Sequence, residues 1–457
     1  MRSTRIQRPN GTVLFETGPH TLRMSKSALP TYELVEQLNL QPSVILAKEA
    51  ETTINIKYRG RIESLSINRE SPFFSVLSSK WITNSLYRKS IPGLLKLASA
   101  LLTRRTRQGL QDESIASWFR RRSNNHFTDV FVSAFVHGVY AGDIEQLSVR
   151  STAFGRVWKA AEDPNQAFRP PPVEDAFLAE IKRGLRSDYF ERNEKRRVFS
   201  FRDGIEELST RLSDKLQGRV EIRTDCPVQS IQAPPSPTAP IKLRTPLQTQ
   251  KFSHIISTVP IPKLFQVIPS APADLANSFP PAVTVGVVNL YYAGDSVTLP
   301  LQGFGYLIPK SSLIENPESA LGVLLISDVI SGQDTGAFAK GGVKLTVMMG
   351  GHYWKDRSSY PSDDELLSSA KSLVEKDLGI GIEPTISQVN LQRNCIPQYQ
   401  VGHHKCVAQL ERYLDSTFGK ERLKVVGSPI NGVGINDCIG AARKAASRLK
   451  KLSIASG

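Results

Sequence analysis

Two stretches of this 457-residue chain carry residue types at spacings that could do chemistry. The stronger is "LKVVGSPINGVGINDCIGAARKAA" near the C-terminus, which predicts a strand, a glycine-containing turn and a helix opening near Asn436–Asp437. A helix N-terminus offers unpaired backbone N–H groups and the positive end of the helix dipole. Both suit a phosphate, an anionic group or a polarised ring edge. Gly432 and Gly434 would let the backbone approach such a ligand closely. The same pattern also describes an ordinary strand–turn–helix connection, and the residues alone leave both readings open. The weaker stretch is His403–His404. Adjacent histidines share a metal only with awkward geometry, and no HExxH or spaced Cys/His set occurs, so they read as surface or loop residues and no metal site is expected. Cys226, Cys395, Cys406 and Cys438 are widely spaced with no CxxC, which rules out a disulfide scaffold and fits a reducing compartment. No GxSxG, Walker-type phosphate loop or kinase signature is present, so hydrolytic chemistry is not expected.

The length suggests two or three domains. "TVLFETG" reads as a short buried strand closing on a Gly-Pro turn, residues 27–40 as a helix, and residues 52–67 as a hairpin on which Lys57, Arg59 and Arg61 alternate. From about 72 to 150 the pattern is helical. Residues 163–197, rich in proline and charge, read as a long exposed connection or partly disordered insertion. "GIEELSTRLSDKL" is an amphipathic helix and "VEIRTDCPVQSIQA" a strand with a turn. "VTVGVVNLYY", "GFGYLIP", "ALGVLLIS" and "VKLTVMMGG" predict an antiparallel sheet, followed by a helix at 363–378. The net charge is +15, and Lys80–Arg122 alone holds ten Lys/Arg against two acids. That local excess points to an anionic partner, and the absence of a recognition motif or interleaved aromatics speaks against nucleic acid. No apolar run approaches the ~20 residues of a membrane span. "IPGLLKLASALL" (91–102), beside Arg104, Arg105 and Arg107, could lie in a membrane interface or be a core helix.

The C-terminal "VGSPINGVGINDCIGAARKAA" resembles the closing FAD-binding motif of the protoporphyrinogen oxidases, a family of the flavin amine oxidase superfamily. "LQGFGYLIPKS" (301–311), "LGVLLISD" (321–328) and "VKLTVMMGG" (343–351) resemble that family's substrate-domain strands in order and spacing. Residues 112–151 are similar to its "DES…RR…AGD…LS" helical region, and "FETGPHTLR" (15–23) to the loop beside its flavin. The likeness runs along almost the whole chain and points to the fungal mitochondrial members. One departure stands out. The family opens with a strand, a GxGxxG turn and a helix, whereas this chain has no GxGxxG and its first glycine is Gly11. The expectation is therefore a truncated chain with an incomplete FAD-binding domain and exposed sheet edges.

The resemblance implies an α/β fold: an incomplete Rossmann-like FAD-binding domain (1–30, 198–260 and 415–457), a mixed or antiparallel-sheet substrate domain (31–69 and 261–414), and an α-helical membrane-binding domain (70–197). It places FAD at Gly18, Pro19, His20, Thr21, Val228, Ser428, Val433, Gly434 and Ile435, and substrate at Gly142, Leu307, Leu324 and Met348. The family commonly has arginine where His20 stands, which weakens any expectation of fixed charge there. The implied reaction is the six-electron oxidation of protoporphyrinogen IX to protoporphyrin IX, the penultimate step of haem biosynthesis. FAD takes hydride in three two-electron steps and oxygen returns it as hydrogen peroxide. The implied partners are the anionic face of the mitochondrial inner membrane, met peripherally through 70–185, a second copy of the chain, and ferrochelatase. Two other readings compete: another flavin amine oxidase or desaturase, and a non-catalytic remnant that binds porphyrin or membrane.

Overall fold

The computed structural model describes residues 2–48, 52–67, 84–103, 112–162, 172–236, 238–294, 297–311 and 313–455. Its largest element is a seven-stranded mixed sheet. The strands are β5 (Thr52–Tyr58), β6 (Arg61–Ile67), β12 (Val283–Tyr292), β13 (Gly305–Leu307), β14 (Ala320–Leu325), β15 (Val343–Gly350) and β16 (Ile386–Ile396), in the order β16-β12-β15-β14-β13-β5-β6. Every pairing is antiparallel except β13 with β5. β12 is buried along its whole length, because both faces of the sheet are covered and an unbroken apolar run suits such a strand.

One face carries a helix at Asp363–Leu378 (α8), whose Leu366, Ala370, Leu373 and Val374 recur at helical spacing and pack on Val288, Tyr306, Val323, Leu345 and Val347. A Ser362–Glu365 capping box starts this helix and left-handed Gly379 ends it. Under it, Lys57 and Asp377 form a buried ion pair at 2.7 Å, and the Tyr306 hydroxyl donates to Asp377 at 2.8 Å. Lys57 is therefore committed to the fold.

The other face meets the helical region: α2 (Ser85–Thr103), α3 (Ile115–Arg122), α4 (Ser133–Tyr140) and α5 (Gly155–Glu162). A core of Trp118, Phe119, Val136, Tyr140, Ile144 and Val149 holds them, with a buried Arg122–Glu162 pair at 2.7 Å. Lys80, Arg104, Arg105 and Arg107 lie outside the described residues. On α2, Leu94 and Leu97 pack inward while Leu95 is exposed.

A third body joins α1 (Leu29–Gln37), α6 (Pro172–Gly184), α7 (Glu206–Leu216), α10 (Ile435–Ala455) and a small sheet β3-β7-β4 (Leu22–Arg23, Val198–Phe201, Val44–Leu46). Here the structure corrects two expectations. Residues 172–184 are a helix, and Ile181 with Phe190 is buried against α1 rather than in the helical region. The apolar spacing of Phe177, Leu178 and Ile181 outweighs the charge that marked the segment as a connection. Likewise the first part of 31–69 belongs to this body, with Tyr32 stacked on Phe190 at 4.0 Å.

The remaining strands form a hairpin, β1 (Ser3–Arg8) with β2 (Gly11–Glu16); an antiparallel trio, β8 (Ser230–Gln232), β9 (Ile241–Arg244) and β10 (Thr249–Phe252); and a parallel pair, β11 (Ile255–Ser257) with β17 (Leu423–Val425). A helix at His403–Phe418 (α9) packs on the last two groups. The strand expected over "VEIRTDCPVQSIQA" is confined to β8. Val220 and Ile222 are exposed and pair with no strand among the described residues, since alternation alone does not make a strand without a neighbour.

Candidate active site

The sheet register puts Leu307, Leu324 and Met348 on one face, the face turned away from α8. Leu307 stands opposite Gly322 and Gly322 opposite Met348, while Leu324 stands opposite Thr346 one row along. Two strand spacings separate Leu307 from Met348, about 10 Å. All three are half-buried. Gly142 comes two residues after α4, next to Ala141, and is buried. A Cβ there would lie 2.5 Å from Gln398 Oε1 and 2.7 Å from Leu147 Cδ1. Ala141 packs with Met348 and Leu321, so the end of α4 and the apolar wall form one corner.

The C-terminal turn reaches the same corner through Tyr399, which follows β16. Its hydroxyl donates to the Ser428 carbonyl at 2.5 Å and accepts from the Gly432 N–H at 2.9 Å. Burial pushes the Tyr399 phenol up, so it stays a neutral donor. Val433 packs on the helical core that contains Tyr140, and Ile435 on the core around α1. Asn436 ties the turn to the opposite side: its Oδ1 accepts from the Thr31 hydroxyl at 2.8 Å, and its Nδ2 donates to the Arg23 carbonyl at 2.8 Å. The Gly434 N–H donates to Asp437 Oδ2 at 3.2 Å. Gly432 has φ +118°, and a side chain there would strike the Asp437 carboxylate. At this helix start, where the sequence offered unpaired N–H groups, the Gly434 N–H thus has a carboxylate partner.

The loop Gly18–Thr21 comes to the same face from β2. Asn289 Nδ2 donates to the Glu16 carbonyl and Gln392 Nε2 to the Thr17 carbonyl, each at 2.9 Å. Along β16, Val389 and Leu391 turn towards α8, which leaves Gln388, Asn390 and Gln392 on the face of the apolar wall. Three buried polar atoms have no protein partner here: His20 Nε2, Gln388 Oε1 and Asn390 Nδ2. Burial holds the His20 imidazole down to about 3, with the Lys344 ammonium adding to the effect, so the ring is neutral. Lys344 is itself paired with Asp334 at 2.7 Å. An acceptor, a donor and a neutral imidazole nitrogen, each lacking a partner beside a glycine turn and an apolar wall, fit a planar heterocycle with alternating C=O and N–H groups, as in a flavin ring.

Most site residues named from the sequence thus converge: Gly18–Thr21, Ser428, Val433–Ile435, Gly142, Leu307, Leu324 and Met348. Val228 does not join them. It is 37% exposed in an irregular segment before β8 and belongs to no core cluster. His403 and His404 open α9 instead of lying in a loop, and His403 is buried and stacked on Tyr399 at 4.2 Å. No cluster of metal-ligating side chains occurs among the described residues. Sequence reasoning missed Tyr399 and the β16 amides. The alternation in "ISQVNLQRN" was a usable signal for the amides, whereas a tyrosine gripping a turn 30 residues away leaves none.

This frame, a substrate sheet joined to a glycine turn and closing helix, is that of the flavin-dependent oxidoreductases. A structure from Exiguobacterium sp. 255-15, described as a candidate protoporphyrinogen oxidase, superposes with TM-score 0.67 at 20% identity over 98% of this chain and 89% of its own. Cyclohexylamine oxidase from Brevibacterium oxydans superposes at 0.61 and 13% identity over 99% and 91%. No family model matches the chain. Among curated proteins, protoporphyrinogen oxidase of Schizosaccharomyces pombe is 29% identical over 97% of this chain and 90% of its own length. That of Bos taurus is 30% identical over 74% and 69%. The chain belongs to the protoporphyrinogen oxidase family.

Proposed function

We propose that this chain oxidises protoporphyrinogen IX to protoporphyrin IX, with FAD as the flavin and molecular oxygen as the final acceptor. The observation that carries the reading is the convergence of the Tyr399-held glycine turn, the unpartnered polar atoms of β16 and the Gly18–Thr21 loop on one apolar wall. The flavin, when bound, supplies the hydride acceptor. The chain's own residues do the rest. Ser428 and Val433–Ile435 hold the ring half at the closing turn; Gly18, Pro19, His20 and Thr21 flank it; and Val228 is assigned to the adenosine end. Leu307, Leu324 and Met348 give a large, flat, mostly apolar substrate its wall, and Gly142 admits its edge. The region between the wall and the glycine turn excludes water from the reacting carbon.

The division into FAD-binding, substrate-binding and helical parts belongs to the same proposal. So does peripheral attachment to an anionic membrane, in the mitochondrion by family likeness, supported by exposed Leu95 on α2 of the basic stretch. No helix among the described residues is long and apolar enough to cross a membrane. The homodimer and the ferrochelatase contact rest on the resemblance alone.

The test is turnover of protoporphyrinogen IX by the purified chain with added FAD, reading porphyrin fluorescence and peroxide together. Loss of six electrons to oxygen requires three peroxides per porphyrin. Porphyrin at the non-enzymatic rate, or no peroxide, would overturn the reading.

A further inference from the structure

A pair of buried histidines stands behind the apolar wall, and neither the flavin seat nor the wall uses it. His137 on α4 and His352, just after β15, face each other with 2.9 Å between their Nε2 atoms, rings stacked with centroids 4.9 Å apart. His137 Nδ1 lies 2.7 Å from the Ile308 carbonyl oxygen. A carbonyl only accepts, so Nδ1 of His137 carries the proton. In a neutral ring its Nε2 is then a lone pair, and His352 Nε2–H must be the donor across the gap. Burial holds both rings neutral, His137 down to about 3 and His352 to about 4. The charged groups that bear on the pair are Asp143 and Lys310, themselves joined at 2.7 Å. Tyr353 packs on both rings.

The surroundings say what the pair does. Ile308 follows Leu307 of the wall. Gly138 follows His137, and a Cβ there would lie 2.9 Å from Leu307 Cδ2, so helix and sheet approach closely here. The backbone N–H of residue 352 donates to the Ala141 carbonyl at 2.8 Å, directly before Gly142. Gly351 allows that contact, with φ +61° and a would-be Cβ 2.2 Å from the Ala141 oxygen. Thus the imidazole pair ties α4 to the sheet at Ile308, next to Leu307, and the backbone of residue 352 holds the Ala141–Gly142 end of the same helix. Imidazoles that titrate near 3 and 4 are poor bases at neutral pH, which argues against proton abstraction.

We propose that His137 and His352 are positioning residues, a neutral clamp that sets the gap between α4 and the Leu307–Met348 wall and so the fit of the flat tetrapyrrole. The inference rests on the proposed function above. The tautomers make its test asymmetric. In H352Q the amide N–H can replace the donor to His137; H352N is too short to reach. H137N keeps the bond to Ile308 but loses the one to His352.

The experiment measures protoporphyrin IX affinity by fluorescence titration, together with kcat and KM for protoporphyrinogen, in wild type and the three variants. We expect H352N and H137N to raise Kd and KM about tenfold with kcat within about twofold, a change of about 1.4 kcal/mol. H352Q should stay within about threefold of wild type in both. Equal affinity in all four proteins would overturn the clamp, as would a kcat loss beyond about a hundredfold with KM unchanged, which would mark a catalytic base. A wild type that neither binds the porphyrin nor turns over would instead overturn the function on which the clamp rests. Bound-flavin content, read from absorbance, reports folding separately, and H352Q against H352N compares two polar variants that differ only in reach.

Discussion

At the scale of single residues, Tyr399 and Gly142 carry most of the site's geometry. Tyr399 makes two hydrogen bonds to the closing turn, one given and one received. Removing the hydroxyl as Y399F leaves both backbone partners inside the turn without it. At about 1 kcal/mol net per bond, flavin binding is expected to weaken roughly ten- to thirtyfold, read by flavin fluorescence titration. Unchanged affinity would mean the turn is held by its other ties at Asn436. Gly142 is a matter of space: G142A drives a methyl into Gln398 and Leu147 and is expected to cost about 1–3 kcal/mol in urea unfolding. The sequence made Gly142, Leu307, Leu324 and Met348 visible through motif likeness. Tyr399 and the two histidines were invisible, because each acts on a partner distant in sequence, and only the fold supplies that partner.

At the scale of elements, the seven-stranded sheet and α8 form the platform on which the wall is built. Periodicity found nearly all of it, from the alternation of 52–67 to the helix at 363–378, because a core-facing strand or helix writes its burial into the spacing of apolar residues. It failed at 172–184, where charge masked an apolar stripe, and at 220–222, where the pattern of a strand has no neighbour to pair with. Lys57 illustrates the limit from the other side: a cation on an alternating strand that ends in a buried pair with Asp377. K57M strands the carboxylate and is expected to cost about 3–5 kcal/mol in unfolding free energy. K57M/D377L should recover most of that loss. A single variant as stable as wild type would show Lys57 to be free for another task, such as meeting a substrate carboxylate.

At the scale of the whole molecule, buried titratable groups set how stability varies with pH. Burial lowers His20 and His137 to about 3, and His352 and His403 to about 4, from the usual 6.5. The unfolded chain therefore binds more protons than the folded one between those values and 6.5. Their contribution is complete above pH 6.5 and is lost as pH falls, up to about 1.4 kcal/mol per pH unit for each ring. Glu16 acts oppositely: burial raises it to about 7, so its contribution is full below 4.5 and fades as pH rises through 7. Four rings against one carboxyl predict a urea midpoint that drops on acidification from pH 6.5 to 4.5; a flat or rising midpoint would mean the rings are not buried as described. All of these features serve one claim, that the corner between α4, the glycine turn and the wall brings a flavin and a tetrapyrrole together. The most direct test is to load the purified chain with FAD, remove oxygen and add protoporphyrinogen IX while recording absorbance between about 350 and 500 nm, where an oxidised flavin absorbs. The expected result is flavin bands that bleach on addition of substrate and return when oxygen is admitted. Bands that are present yet unchanged by protoporphyrinogen would contradict it.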